Sequence, residues 1–242
     1  MDRAYHKWFS AAVNKEMELL VFGYAGATVL FFPTRGARFY DYENWGVLDK
    51  LHDKINSGQL QIFCVDSIDK ESFYCKDKSP QEKIERHLQY ENYILKEVVP
   101  FINKKNPKSY KIVAGCSMGA FHAVNIALRH PKLFNKVVVM SGRYDLTKQM
   151  GDFKDLFDGY FNDTIYYNSP NQFLYNLSDN KIINAIKKID ITIAIGENDS
   201  FLENNKHFSQ ILNQKQIYHN FIIWKQEAHK PPFWRDMVYL YF

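Results

Sequence analysis

Residues 112–131 read IVAGCSMGAFHAVNIALRHP. An apolar run, Ile112 to Ala114, meets the pentapeptide Gly115-Cys116-Ser117-Met118-Gly119, and an amphipathic helical pattern leaves it and stops at Pro131. A G-x-S-x-G pentapeptide is weak evidence alone, since glycine and serine are common residues. A strand before it and a helix after it supply the context it needs. The chain must turn from strand to helix within one residue, which strains the backbone of Ser117 and lifts its hydroxyl above the sheet edge. Gly115 and Gly119 flank the bend because side chains there would collide across it. The amide of Met118 opens the helix, so it is unpaired and positively polarised, a candidate donor to an oxyanion. Cys116 is expected to face the opposite way and pack as a small hydrophobe.

Outward from this turn, strands and helices alternate. EMELLVF (16–22) and ATVLFF (27–32) read as consecutive strands joined by a Gly-containing turn, followed by the loop PTRGARFYDYEN and a helix from about Trp45 to Asn56. LQIFCV (60–65) is the next strand. Ser79-Pro80-Gln81-Glu82 is a capping box with proline at the first helical position, and the helix is expected to run to a break at Pro100. YKIVAG (110–115), NKVVVMSG (135–142), DITIAIG (190–196) and NFIIWK (220–225) are further strands, with a helix around 206–213. Near-continuous apolar strands require a sheet buried on both faces. Alternating with helices, they predict an α/β fold with a doubly wound, mostly parallel sheet. The whole chain, 1–242, then forms one domain, with a cap-like insertion rich in Asn, Asp, Tyr and Phe at about 147–178.

A serine hydroxyl is a poor nucleophile until a neighbouring base removes its proton. In a sheet of this kind the acid follows the penultimate strand and the base follows the last. ITIAI leads into Gly196-Glu197-Asn198-Asp199-Ser200, and FIIWK into Gln226-Glu227-Ala228-His229. Of eight histidines, His229 alone lies in a loop directly after the final strand, so it is the candidate base. Asp199 is the candidate acid, with Glu197 on the same turn and Asp145 after VVVM as competitors. The second oxyanion donor is expected in the loop after ATVLFF, with Arg35 and Gly36 as candidates; Arg35 and Arg38 are otherwise candidates for binding an anionic substrate or are plain solvated charges. Aromatic residues of the insertion, Tyr166 and Tyr167 among them, either line a pocket or pack the cap onto the body.

Composition narrows the class. Hydrophobic residues make up 46% of 242 and charged residues 24%, a soluble globular profile that excludes disorder and collagen. Thirty-one Lys+Arg against 27 Asp+Glu leave a charge of +4 scattered along the chain, so no nucleic-acid partner is expected. Three cysteines are too few for a disulfide framework and point to a reducing compartment, the cytoplasm. No signal peptide or membrane span is read, and no metal-ligand spacing, Walker loop or dinucleotide fingerprint, so no metal or cofactor is expected.

With these residues in place, the sequence resembles the Putative esterase family of the α/β-hydrolase superfamily, serine esterases akin to S-formylglutathione hydrolases and mycolyltransferases. The resemblance spans nearly the whole chain: VLFFPTRGARFYDYENWG, FCVDS, AGCSMGAFHAVNIALRHP, SGRYD, YYNSP and AHKPPFWRDM. It implies an α/β-hydrolase fold with Ser117 as nucleophile, Asp199 as acid and His229 as base, acting on a small-molecule ester without a cofactor. Trp234, in the C-terminal segment, is a further candidate substrate-binding residue. One departure is visible. In similar proteins the histidine is followed by an acidic residue and a tryptophan, whereas here Lys230-Pro231-Pro232 follow. The leading expectation is a serine carboxylesterase working through an acyl-enzyme. An acyltransferase or thioesterase on the same residues is one alternative, and a non-catalytic binding protein on this scaffold is another. The sequence leaves self-association as a homo-oligomer open.

Overall fold

Strands β3 to β7 carry buried side chains on both faces, and their alternation assigns each face to a different layer of helices. In the computed structural model, which describes residues 1–107 and 109–242, one sheet contains β1 (Arg3–Ser10), β2 (Lys15–Phe22), β3 (Ala27–Phe32) and β4 (Leu60–Val65). It continues with β5 (Lys111–Cys116), β6 (Lys136–Met140), β7 (Asp190–Gly196) and β8 (Asn220–Trp224). The order is β1-β2-β4-β3-β5-β6-β7-β8. β1 and β2 pair antiparallel, β2 and β4 likewise, and every pair from β4 to β8 is parallel. This is the expected doubly wound, mostly parallel α/β sheet.

Helices α1 (Asp41–Asn44), α2 (His52–Asn56) and α10 (Pro231–Tyr241) cover one face. There Ile55, Trp234 and Met237 pack on Ile112, Ala114, Val138 and Met140. Helices α3 (Pro80–Tyr93), α4 (Val99–Lys105), α5 (Met118–Arg129), α7 (Pro170–Asn176) and α9 (Leu202–Gln214) contribute to the core on the other face. There Tyr93, Val124 and Phe208 pack on Val113, Val137 and Ile193. Two short helices, α6 (Asp163–Tyr167) and α8 (Asn180–Ile186), complete the set among the described residues.

Two local expectations change, over residues 45–56 and at Pro100, and the strand order and β1 add what the sequence did not show. β2 and β3 follow one another in sequence but are separated in the sheet by β4. Between them Gly26 takes φ +95°, and a Cβ there would meet the Gln59 carbonyl at 2.2 Å, so the chain passes tightly over the turn that enters β4. The helix expected over 45–56 is broken at Gly46, whose φ of +66° ends α1, and a 3-10 turn over Leu48–Leu51 leads into α2. Pro100 does not end a helix. A π turn at Ile94–Val98 delivers the chain into α4 with the proline in its first turn, where a missing N–H leaves nothing unpaired. β1 was not expected because, as an edge strand, it leaves Tyr5 and Phe9 exposed and has no buried apolar face to read. The Ser79 capping box forms as expected, Ser79 Oγ accepting from the Glu82 amide and the Ser79 amide donating to the Glu82 carboxylate.

Behind α5 lies a buried polar cluster. His122 Nε2 and Asp69 Oδ1 are 2.9 Å apart, and the His87 ring stacks on His122 with centroids 5.5 Å apart. Burial, aided by His122 and Arg129 and opposed by Glu91 and Asp69, pushes His87 from its ordinary 6.5 down to about 3. The unfolded chain therefore binds a proton on this ring between those values that the folded protein refuses. Its contribution to stability is complete above pH 6.5 and is lost as the pH falls toward 3. Denaturant unfolding from pH 7 to 4 should show this as a slope of at most about 1.4 kcal/mol per pH unit. The slope should flatten in His87→Gln; an identical slope in the variant would place the acid sensitivity elsewhere.

Candidate active site

The turn from β5 into α5 passes through Ser117 at φ 55° and ψ −117°, a conformation a non-glycine residue holds only where its surroundings enforce it. The enforcement is visible. A Cβ on Gly115 would lie 2.2 Å from the Gly119 carbonyl carbon, and one on Gly119 would lie 2.2 Å from the Phe32 carbonyl oxygen. The Ser117 amide donates to the Met140 carbonyl at 2.8 Å. The Cys116 amide donates to the Tyr42 hydroxyl at 3.1 Å, and that hydroxyl donates to the Phe32 carbonyl at 2.9 Å. Cys116 itself points into the core beneath, beside Tyr42 and α10, where burial pushes its thiol up and keeps it neutral. The Met118 amide, first in the helix, donates to no protein acceptor among the described residues.

Beyond β7, the side chain of Asp199 is 1% exposed. Its Oδ1 accepts from the Phe201 amide at 2.9 Å, and its Oδ2 lies 2.8 Å from His229 Nδ1. An ionised carboxylate only accepts, so Nδ1 carries the hydrogen and Nε2 is left as a proton acceptor. The competing acids are engaged elsewhere. Glu197 Oε1 accepts from the Gln226 amide at 3.0 Å, and Asp145 Oδ1 accepts from the Thr147 amide and hydroxyl at 3.0 and 2.7 Å. The histidine loop is as tightly built as the serine turn. Gln226 and Ala228 take φ +67° and +54°, and a Cβ at Gly196 would meet the Glu227 carbonyl at 1.9 Å. The segment Lys230-Pro231-Pro232 has a structural cause, because Lys230 is the N-cap residue of α10 and the two prolines occupy its first turn. The imidazole sits between Phe201 and Trp234, with ring centroids at 5.6 and 5.8 Å.

Ser117, Met118 and His229 open onto one cavity of about 230 Å³, together with Thr34, Arg35 and Trp234. Ser117 and His229 share it without a hydrogen bond between them among the described residues; contacts of this kind tighten when substrate fills a site. The Arg35 amide, like that of Met118, donates to no protein acceptor among the described residues.

Other candidates lie outside. Gly36 and Arg38 line a separate depression, where the Arg38 guanidinium is held by Asp66 and Glu18, each at 2.7 Å, so it is not free to meet a ligand at Ser117. Tyr166 and Tyr167 line a groove beside Arg129 and His130, because α7 packs onto α5 and α9 and carries α6 away from the serine turn. The part of the insertion that reaches the cavity is its beginning, at Phe153. Of the insertion aromatics read as pocket candidates, Phe153 lines the cavity, while sequence reading missed three further wall residues, Tyr74, Arg143 and Phe201. For Arg143 a signal existed: a charged residue three positions beyond the apolar run VVVM (137–140), at the same sheet edge as Ser117.

Comparison with known proteins gives the family and the fold. The family model described as Putative esterase matches residues 39–230. A ferulic acid esterase superposes with a TM-score of 0.77 at 18% identity, covering 98% of this chain and 95% of its own. An S-formylglutathione hydrolase from Agrobacterium tumefaciens superposes with a TM-score of 0.77 at 15% identity, covering 98% and 91%. A fluorophosphonate-binding serine hydrolase of Staphylococcus aureus gives 0.71 at 16%, covering 98% and 95%. These likenesses identify the fold as that of α/β-hydrolase esterases. No curated protein matches the chain in sequence.

The contact at Gly196 generates a stability test. Gly196→Ala should lower the unfolding free energy by about 1–3 kcal/mol, the usual cost of forcing extra volume into a packed site. Denaturant titration reads it, and an unchanged midpoint would mean that the histidine loop does not lie against β7 as described.

Proposed function

This chain belongs to the Putative esterase family, and from that footing we propose that it is a serine carboxylesterase cleaving small acyl esters through Ser117, His229 and Asp199. The observation that carries the reading is the 2.8 Å pairing of His229 Nδ1 with buried Asp199, on the rim of the cavity that Ser117 enters from a strained turn.

In this mechanism Ser117 Oγ attacks the ester carbonyl while His229 Nε2 takes its proton. Asp199 stays ionised, holds the imidazole in the tautomer that leaves Nε2 free, and offsets the imidazolium charge. The negative charge that develops on the carbonyl oxygen meets the free amides of Met118 and Arg35, each worth on the order of 3 kcal/mol in the transition state. The imidazolium returns the proton to the departing alcohol, leaving an acyl group on Ser117. Water then enters by the same route and releases the acid. A cavity of about 230 Å³ is below the range usual for drug-sized ligands, which favours short acyl groups. All three cysteines are free, two of them buried, in keeping with work in the cytoplasm. No described helix is long and apolar enough to cross a membrane.

A fluorophosphonate should add once to the intact protein and not at all to Ser117→Ala. Over a p-nitrophenyl ester series the rate should fall from acetate toward longer chains, and Ser117→Ala should lose on the order of 10⁴-fold or more in kcat. A folded protein that takes no adduct, or a Ser117→Ala variant that keeps its rate, contradicts the proposal.

A further inference from the structure

The walls of the cavity carry more charge than ester cleavage requires. Arg143, just beyond β6, is buried to 4% exposure, yet no carboxylate pairs with it among the described residues. Its guanidinium is held by backbone carbonyls instead. Nε donates to Asp145 O at 3.3 Å, and Nη2 donates to the carbonyls of Lys148 and Lys154 at 2.7 and 2.8 Å, with Leu146 O at 3.4 Å. These acceptors occupy Nε and Nη2 and leave Nη1, on a residue that lines the cavity, without a protein partner among the described residues. A guanidinium has five donors and cannot shed its charge, so a buried one with a free edge is an unfilled anion site.

Arg35 reinforces this. Its guanidinium lies over the rings of Tyr74 and Phe153, 5.5 and 5.9 Å from their centroids, and it too has no carboxylate partner among the described residues. Tyr74, beneath the Arg35 guanidinium and within electrostatic reach of Arg143, has its phenol pushed up to about 12 by burial, so that it stays protonated at physiological pH. Burial lowers Arg143 as well, against the pull of Tyr74, Asp145 and Asp155, which is the electrostatic cost that a bound anion would relieve. Among the described residues, no Asp or Glu lines this cavity.

We propose that Arg143, with Arg35 lining the same cavity, binds a carboxylate carried by the ester, so that the natural substrates are acid-bearing esters rather than neutral ones. The inference rests on the esterase reading above and adds the substrate's charge to it. The carboxylate belongs either to the acyl part or to the leaving alcohol, and two matched pairs of substrates separate these sources. The mono-p-nitrophenyl ester of fumaric acid, whose trans geometry prevents attack by its own carboxylate, is set against the corresponding fumaramide ester. On the alcohol side, 4-acetoxybenzoate is set against 4-acetoxybenzamide.

In at least one pair the carboxylate should be preferred by about 10-fold or more in kcat/KM, the discrimination that a hydrogen bond to a charged group supports. Arg143→Met should bring that ratio close to one. If this variant fails to fold for want of its carbonyl contacts, the wild-type enzyme still decides. Free fumarate should inhibit p-nitrophenyl acetate cleavage competitively and more strongly than fumaramide, by a margin that shrinks as salt is raised. Equal or poorer use of both carboxylate substrates overturns the carboxylate subsite while leaving the esterase reading intact. Failure to cleave any ester, with no fluorophosphonate adduct on Ser117, removes the esterase reading and this inference together.

Discussion

Between Cys116 and Met118 the backbone changes from strand to helix across a single residue, and Ser117 absorbs the change at a positive φ. A conformation of that kind costs about 1–3 kcal/mol and survives only because its neighbours over-determine it. They do so from three directions. β6 receives the Ser117 amide, the end of β3 crowds against Gly119, and Tyr42 ties that strand to the Cys116 amide through one hydroxyl. Tyr42 is in turn stacked on Phe31, ring centroids 3.9 Å apart, so the clamp is anchored in the core rather than in the loop.

The parallel sheet turns this local strain into a site. β5, β7 and β8 end at the same edge, so the residues that leave them meet even though 117, 199 and 229 are far apart in sequence. β7 and β8 are then locked at their exits. The Glu197 and Asn198 amides donate to the carbonyls of Trp224 and Gln226, and the absence of a side chain at Gly196 lets the two turns touch. The carboxylate is thereby buried against the imidazole, while the imidazole keeps one face toward the cavity. α10 closes the arrangement from below, with Trp234 reaching the Ser141 hydroxyl beside the histidine loop.

The sheet could be read from the chain because its central strands are apolar on both faces, and the serine turn could be read because glycine on either side of it has a steric cause. The order of strands could not, since the position of β4 between β2 and β3 depends on a crossover that no periodicity records. Edge strand β1 escaped notice for a different reason: its more buried set, Ala4, His6, Trp8 and Ser10, mixes polar with apolar residues, so it shows no apolar alternation. At the site, Ser117, His229 and Asp199 were singled out from their places after strands, and the structure puts the first two on one cavity wall with Asp199 buried behind the histidine. Arg38, Tyr166 and Tyr167 looked equally suited to binding, but chemistry alone did not reveal that ion pairs at Asp66 and Glu18, or packing of α7 on α9, hold them elsewhere. Arg143 was the opposite case. Its burial and its free edge exist only in three dimensions, because the carbonyls that hold it belong to a loop with no pattern of its own.

Catalysis of this kind requires the serine at position 117 to carry the acyl group during turnover. Rapid acid quenching of the reaction with a short-chain p-nitrophenyl ester, followed by peptide mass mapping, tests this directly. The expected result is an acyl group on the peptide containing Ser117 in the wild-type protein and none in His229→Ala. An acyl group on a different residue, or equal labelling of Ser117 without the histidine, would contradict it.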